Sequence, residues 1–271
     1  MKEFKYIFII LVYRNTDDLE ECIQSIFSFV SSFKIIVVNS YYDDDSRDAA
    51  RAIAKQYECD FLNVENRGYS YGNNEGIRFA RDNYSFDFII VSNPDIIIRK
   101  FDDSFLDNQI EFDVVAPEII AADGRSQNPM YVSKPRFVTA CEYVGFKCRL
   151  KPFIQFGILL SKLKRFYYSR KYTGKSQYLI YGAHGSFVIM SRRAVEALDP
   201  VYDNNMFLFA EEMVLAAKSR AAGLKTCYYN GISISHKEDG SMKLSNLKMF
   251  DELRKSNLYY YENYEKKNKL S

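Results

Sequence analysis

Tryptophan is absent from this 271-residue chain, and histidine occurs only at His184 and His236. The five cysteines (Cys22, Cys59, Cys141, Cys148 and Cys227) form no Cys-x-x-Cys pair and are odd in number. That argues against a disulfide framework or a zinc site and fits a reducing cytoplasm. No run approaches the roughly 18 apolar residues of a membrane-spanning helix. The apolar start, Tyr6 to Tyr13, is short, has no small-residue cleavage site and leads directly into Arg14-Asn15. It reads as a first buried strand rather than a signal peptide, which points to a cytoplasmic protein. A net charge of +2 gives no electrostatic ground for a nucleic-acid partner. Glycine is missing from Tyr13-Arg-Asn-Thr16, where a dinucleotide-binding oxidoreductase would carry Gly-x-Gly-x-x-Gly.

What is present is a regular alternation of segments. Strand-like runs at Tyr6–Val12, Lys34–Val38, Phe61–Val64 and Phe88–Val91 recur about every 27 residues. Between them lie three helical patterns. The first starts at Asp17 and Glu20, a capping-box-like pair, with Leu19, Cys22, Ile23, Ile26 and Phe27 on one face. The second, capped by Asp45 or Ser46, carries Ala49, Ala50, Ile53, Ala54 and Tyr57. The third carries Ile77, Ala80 and Tyr84 after the loop Asn66–Asn74. Such an alternation predicts an α/β fold, a parallel sheet with helices on both faces.

The second half reads differently. Val114–Ile120 and the turn Ala121-Ala-Asp-Gly-Arg125 predict a strand running into a hairpin. From Tyr143 to Val195 there is no Asp or Glu, while nine Lys and Arg residues lie between Lys147 and Lys175. Apolar residues from Phe153 to Tyr168 alternate with these at roughly helical spacing. Tyr181–Met190 looks like a glycine-bearing loop feeding a strand. A helix is expected from about Phe209-Ala-Glu-Glu212 to Gly223, followed by strand Lys225–Tyr229 and a run to His236. A polar, Tyr-rich segment from Leu244 to Lys269 reads as helical.

Chemistry-bearing residues concentrate at three places. Ser92-Asn-Pro-Asp95 ends the fourth strand, and in open α/β sheets ligands bind outside the carboxyl ends of strands. Pro94 stops regular pairing and sets Asp95 at a turn, where its carboxylate can meet a divalent cation bridging phosphates. On this segment alone a strand followed by an Asx-Pro turn explains the pattern equally well. Glu211 and Glu212 fall in a first helical turn, where the dipole favours the ionised form and an ionised carboxylate can act as general base. Acids at a helix start also serve simply as caps. His236 follows Gly231-Ile-Ser-Ile-Ser235, and a neutral imidazole there can complete a metal shell.

In order and content these segments resemble family-2 glycosyltransferases of the GT-A fold, particularly the rhamnosyltransferase-like branch that builds bacterial surface polysaccharides. The resemblance runs from Ile7 to about Ser241. Ile10–Asn15, with Val12, Tyr13 and Asn15, looks like the family's first strand and nucleotide-contacting loop. Ile36–Ser40 with Asp43–Asp45 looks like its second strand and acidic turn, which places Asn39 and Asp44 near base and ribose. Asn66-Arg-Gly-Tyr-Ser-Tyr-Gly-Asn73 matches its Asn-x-Gly-aromatic loop, through Asn66, Gly68, Gly72 and Asn73. Ser92-Asn93-Pro-Asp95 matches the Asn-Pro-Asp version of its Asp-x-Asp motif. Gly182, Ala183 and His184 match the loop under sugar and acceptor, and Phe207–Glu212 its aromatic-rich Glu-Asp motif.

The resemblance implies a GT-A domain over 1–241, with a nucleotide half at 1–100 and an acceptor half at 101–241. Within the latter lies a basic amphipathic insert at about 143–178, and a helical tail follows at 242–271. It implies Mg2+ or Mn2+ held at the donor diphosphate by Asp95 with His236, Glu212 as the base on the acceptor hydroxyl, and Glu211 positioning sugar or acceptor. The implied reaction moves one sugar, with inversion, from a nucleotide-diphosphate donor such as dTDP-rhamnose or a UDP-sugar to a glycan or lipid-linked acceptor. Glu212 stands where the family more often has Asp, and Asn39 where an Asp often contacts the base. Without Trp there is no Gln-x-x-Arg-Trp, so the processive synthase branch does not fit. A catalytically degenerate subunit that binds glycan or scaffolds polysaccharide assembly remains the alternative. The basic insert has two readings, peripheral contact with an anionic membrane or a solvated helical cover.

Overall fold

Eleven residues at the N-terminus set the frame. In the computed structural model, which describes residues 2–108, 112–238 and 249–266, strand β1 (Lys2–Val12) is fully buried from Tyr6 to Ile10. A strand covered on both faces reads as an unbroken apolar run, because neither face is left for polar residues. The βα units follow as expected: α1 (Asp17–Phe29), β2 (Phe33–Ser40), α2 (Asp44–Gln56), β3 (Asp60–Val64), α3 (Tyr69–Asn83) and β4 (Tyr84–Ser92). Alternate residues of β1 serve two cores. Tyr6, Phe8 and Ile10 pack with Leu19, Ile23, Ala50 and Ala54 from α1 and α2. Ile7 and Ile9 pack with Ile77 and Ala80 of α3.

Two helix starts differ from the sequence reading. Thr16 is the N-cap of α1 and makes no side-chain cap; Glu20 instead accepts from the Tyr57 hydroxyl at 2.7 Å. Asp43, upstream of the expected residues, caps α2 by accepting from the Ser46 backbone N–H at 2.9 Å. A residue with extended backbone is needed at that place, and Asp43 supplies it.

Beyond β4 come β5 (Ile96–Phe101), α4 (Ser104–Asn108), β6 (Val114–Ala121), α5 (Arg136–Lys147), α6 (Lys151–Lys171), β7 (Gln177–Ile180), β8 (Phe187–Ser191), α7 (Arg192–Ala197), α8 (Glu211–Ala221), β9 (Thr226–His236) and α9 (Met249–Tyr260), which ends in a π-helical turn, Tyr261–Glu265. All strands form one sheet in the order β3-β2-β1-β4-β8-β6-β9-β5, with β7 also on β9. Pairing is parallel from β3 to β4, and β8 then enters antiparallel between β4 and β6. The central sheet is thus flanked by helices on both faces, as its sequence pattern predicts.

The apolar run after Ser92 does not extend β4. Pro94 breaks it, and Ile96–Phe101 pairs instead with β9, which puts Ile96 opposite His236. The Ala121–Arg125 turn closes a short hairpin, with the antiparallel bridge of Ile120 and Ser126 and backbone bonds from Ala121 N to Arg125 O at 2.9 Å and from Gln127 N to Ile119 O at 2.8 Å. The expected domain boundary at 241 and part of the 244–269 helix lie outside the described residues; the part described, α9 and its π-helical turn, is helical.

Candidate active site

A cleft of about 900 Å3 opens where the carboxyl ends of the parallel strands meet the second half of the chain. Tyr13, Asn66, Gly68, Asn93, Asp95, His184, Glu211, Glu212 and His236 all line it. Other residues singled out in the sequence do not. Val12 and Ala183 are packed in the core. Gly72 lets α3 press on the Leu11 side chain, and Gly182 exchanges backbone hydrogen bonds with Tyr131. Asn73 donates to the Tyr69 carbonyl and Asn39 to the Asn63 side chain, both buried. Asn15 donates to Asp18, and Asp44 is an exposed partner of Arg47. These residues shape the strand ends and loops around the cleft rather than its lining.

Asp95 is 3% exposed, and its Oδ1 has no hydrogen-bond partner. His236 Nε2 lies 3.4 Å from that oxygen. The hydrogen on Nδ1 of this imidazole follows from a chain of contacts. Gln127 Nε2 donates to Glu238 Oε1 at 2.7 Å, which turns Gln127 Oε1 toward His236 Nδ1, also at 2.7 Å. An amide oxygen only accepts, so Nδ1 carries the hydrogen. In its neutral form His236 then points its Nε2 lone pair at a carboxylate oxygen. Two buried acceptors facing each other are costly without a positive charge between them. The donor set, one carboxylate oxygen and one imidazole nitrogen oriented by an outer-shell amide, fits a divalent cation that takes its other ligands from phosphate and water. No group of three metal-capable side chains exists among the described residues.

Across the cleft, Glu211 and Glu212 begin α8 through a strained entry. Phe209 (φ 73°) and Ala210 (φ 62°) are consecutive left-handed residues with side chains, each costing about 1–3 kcal/mol. Glu212 Oε1 meets the Gly185 backbone N–H at 3.4 Å, and a Cβ at Gly185 would crowd that carboxylate. Glu211 is 6% exposed and its Oε1 has no partner. Burial, and then the neighbouring Glu212, raises the Glu211 carboxyl to about 8; burial raises Glu212 as well. Desolvation thus outweighs the helix dipole that alone would favour two carboxylates. Glu211, the less exposed of the two and with one oxygen unpartnered, is the better home for a proton.

Further contacts build the lining, and of these residues Gln127, Asn128 and Glu142 had no signal in the sequence. The Tyr69 hydroxyl donates to the Gly185 carbonyl at 2.8 Å. Gly68 (φ 99°) brings its loop against Phe207, where a Cβ would collide with the backbone. Gln127 precedes a buried Asn128, which accepts the His184 backbone N–H at 2.8 Å. The His184 ring, held by Ser186, is lowered to about 4 by burial and then by His236. Glu142, on α5, lines the cleft and burial raises it to about 7. Only an irregular run between β6 and α5 carries Gln127 and Asn128, where no periodicity marks a face.

A profile of glycosyl transferase family 2 matches residues 7–199, and the chain belongs to that family. A low-salt glycan biosynthesis hexosyltransferase of Haloferax volcanii is 29% identical over 109 residues, 39% of this chain and 34% of that protein. Among solved structures, GalNAc-T7 with UDP, GalNAc and Mn2+ superposes with a TM-score of 0.59 at 10% identity, over 86% of this chain and 44% of the other. Residues 1–349 of S. aureus TarS with UDP-GlcNAc give 0.56 at 12% identity, over 90% and 62%. The chain spans about a third of the hexosyltransferase's length and under two thirds of each of these structures. These likenesses show a GT-A fold.

Proposed function

We propose that this family-2 chain transfers a single sugar from a nucleoside-diphosphate donor, dTDP-rhamnose or a UDP-hexose, to a hydroxyl of a glycan acceptor, with inversion at the anomeric carbon. The observation that carries the reading is the pairing of two unlike acidic centres in one cleft: Asp95 with His236, buried and 3.4 Å apart, and Glu212 with Glu211, two adjacent acids raised by burial. Glu212 Oε takes the acceptor hydroxyl proton as the oxygen attacks. An alcohol is a weak nucleophile until its proton has somewhere to go. Glu211, protonated, donates a hydrogen bond to sugar or acceptor. Tyr13, Asn66 and Asn93 flank the donor side. Asp95 and His236 would hold Mg2+ or Mn2+, which when bound neutralises charge on a leaving diphosphate.

Nucleotide release from a donor panel, with and without Mn2+, tests the reading on wild type, Asp95→Ala and Glu212→Gln. Turnover with at least one donor, abolished in both variants, is expected. A chain that binds no donor and turns none over would refute it. Donor binding without any turnover would identify a non-catalytic glycan-assembly subunit.

A further inference from the structure

One wall of the cleft is built by α5, α6 and α9, through Glu142, Phe146, Ile154, Ile158, Leu253 and Asn257. The first two helices form a hairpin whose close approach depends on small residues. A Cβ at Gly145 would sit 2.6 Å from the Ile154 side chain, and one at Gly157 would sit 3.0 Å from that of Glu142. The C-terminal end of α6 is fastened by ring contacts, Tyr172 stacked on Tyr178 at 4.1 Å and Tyr178 tilted against Tyr228 at 5.0 Å. The helix is therefore fixed in place, yet along its 21 residues only Gly157 is buried.

The uncovered side of α6 is not the polar side of an ordinary surface helix. Phe156, Leu159, Leu163 and Phe166 are 51%, 51%, 56% and 59% exposed. Their spacing of three, four and three residues places them in one stripe along the helix. Of the sixteen large apolar side chains that are exposed among the described residues, ten lie between Phe137 and Tyr167, so the exposure is concentrated rather than scattered. Lys151 and Lys162 border the stripe on one side and Lys164 and Lys171 on the other; Arg170 lies over the Phe166 ring at 4.5 Å. No Asp or Glu occurs from Tyr143 to Val195.

We propose that this face of α6 docks on an anionic phospholipid surface. An apolar stripe whose charged neighbours along α6 are all cations matches the boundary between acyl chains and negative headgroups. The rings and leucines enter the acyl region, and the Lys and Arg stems lie along it with their charges at the phosphates. A second copy meeting this face with its own α6 would set like charges against like, which disfavours self-association through it. Docking also has a consequence that rests on the glycosyl-transfer reading above. The same helix turns Ile154 and Ile158 to the cleft, so docking holds that wall of the cleft about one helix diameter, ~10 Å, from the bilayer surface where a lipid-linked acceptor is anchored.

Flotation of the full chain with vesicles tests the docking without any turnover. Phosphatidylcholine vesicles are compared with vesicles containing about one-third phosphatidylglycerol, at low and high salt. Binding is expected only to the anionic vesicles and weakened by salt. The triple change Lys162→Gln, Arg170→Gln and Lys171→Gln should weaken it about a hundredfold, from about 1 kcal/mol per basic residue near the surface. The change Leu159→Ser, Leu163→Ser and Phe166→Ser should abolish it, with unaltered circular dichroism and melting showing that the fold is intact. Absence of vesicle binding overturns the proposal, as does equal binding to neutral vesicles or a dimer in sedimentation that the serine variant dissolves. Donor binding measured on the same proteins keeps failure of the docking distinct from failure of the glycosyl-transfer reading.

Discussion

The two acidic centres of the cleft are held by opposite devices. Asp95 and His236 stand at the ends of adjacent strands, tied by the backbone bond from Lys237 N to Asp95 O at 3.0 Å and by the register of β5 on β9. Their position follows from sheet geometry. Glu211 and Glu212 stand at a strained helix entry between loops, and burial raises both carboxyls. A sheet edge delivers donors to a defined point; a helix start between loops lets burial and a neighbouring acid set protonation.

The sharpest way to break this comparison is Glu212→Gln. Removing a general base costs typically 10^2–10^4 in rate, and sugar transfer measured by nucleotide release should fall by that much while donor binding by calorimetry holds. Retained turnover would move the base elsewhere. Next in size, Gln127→Leu removes the acceptor that orients His236 and should weaken Mn2+ binding in the presence of UDP by 10–100-fold, the usual range for an outer-shell partner. Unchanged affinity would detach His236 from the metal site.

The smallest effect belongs to Glu211→Gln, which keeps a neutral group where the protonated acid stood. Turnover should drop only several-fold, about the value of one hydrogen bond of ~1 kcal/mol, which thermal melting complements. Glu211 has its folded value raised above 4.5, to about 8. The stability that its proton brings is full below the unfolded value and is lost as pH rises through the folded one. Wild type should therefore melt lower at about pH 9 than at about pH 5, and Glu211→Gln should lose less over that interval. Equal losses would show that Glu211 is not the protonated member.

Much of the scaffold was legible in the sequence, because buried parallel strands must be apolar on both faces and their crossover helices must carry one apolar stripe. The Asn-Pro-Asp turn was legible for a local reason as well, since Pro94 cannot continue the ladder. Helix caps were misread by a few positions, because several neighbouring Asp and Ser residues can each cap and only backbone conformation selects among them. Gln127, Glu142 and Tyr131 gave no signal: they sit in irregular or helical segments whose cleft-facing side depends on what packs against them. Residues such as Val12 and Ala183, adjacent to lining residues, turned out to face the core, since neighbours along a strand or its flanking loop point in opposite directions.

By itself, then, the sequence determined the alternation of strands and helices, the break at Pro94 and the run of basic residues without acid from Tyr143 to Val195. These depend on local sterics, periodicity and composition. Tertiary structure alone decided that His236, at the end of β9, faces Asp95 beside the start of β5, that burial raises the Glu211 carboxyl, and that the apolar stripe of α6 is left uncovered. Each of those depends on how far charge or apolar surface is removed from water by parts of the chain distant in sequence.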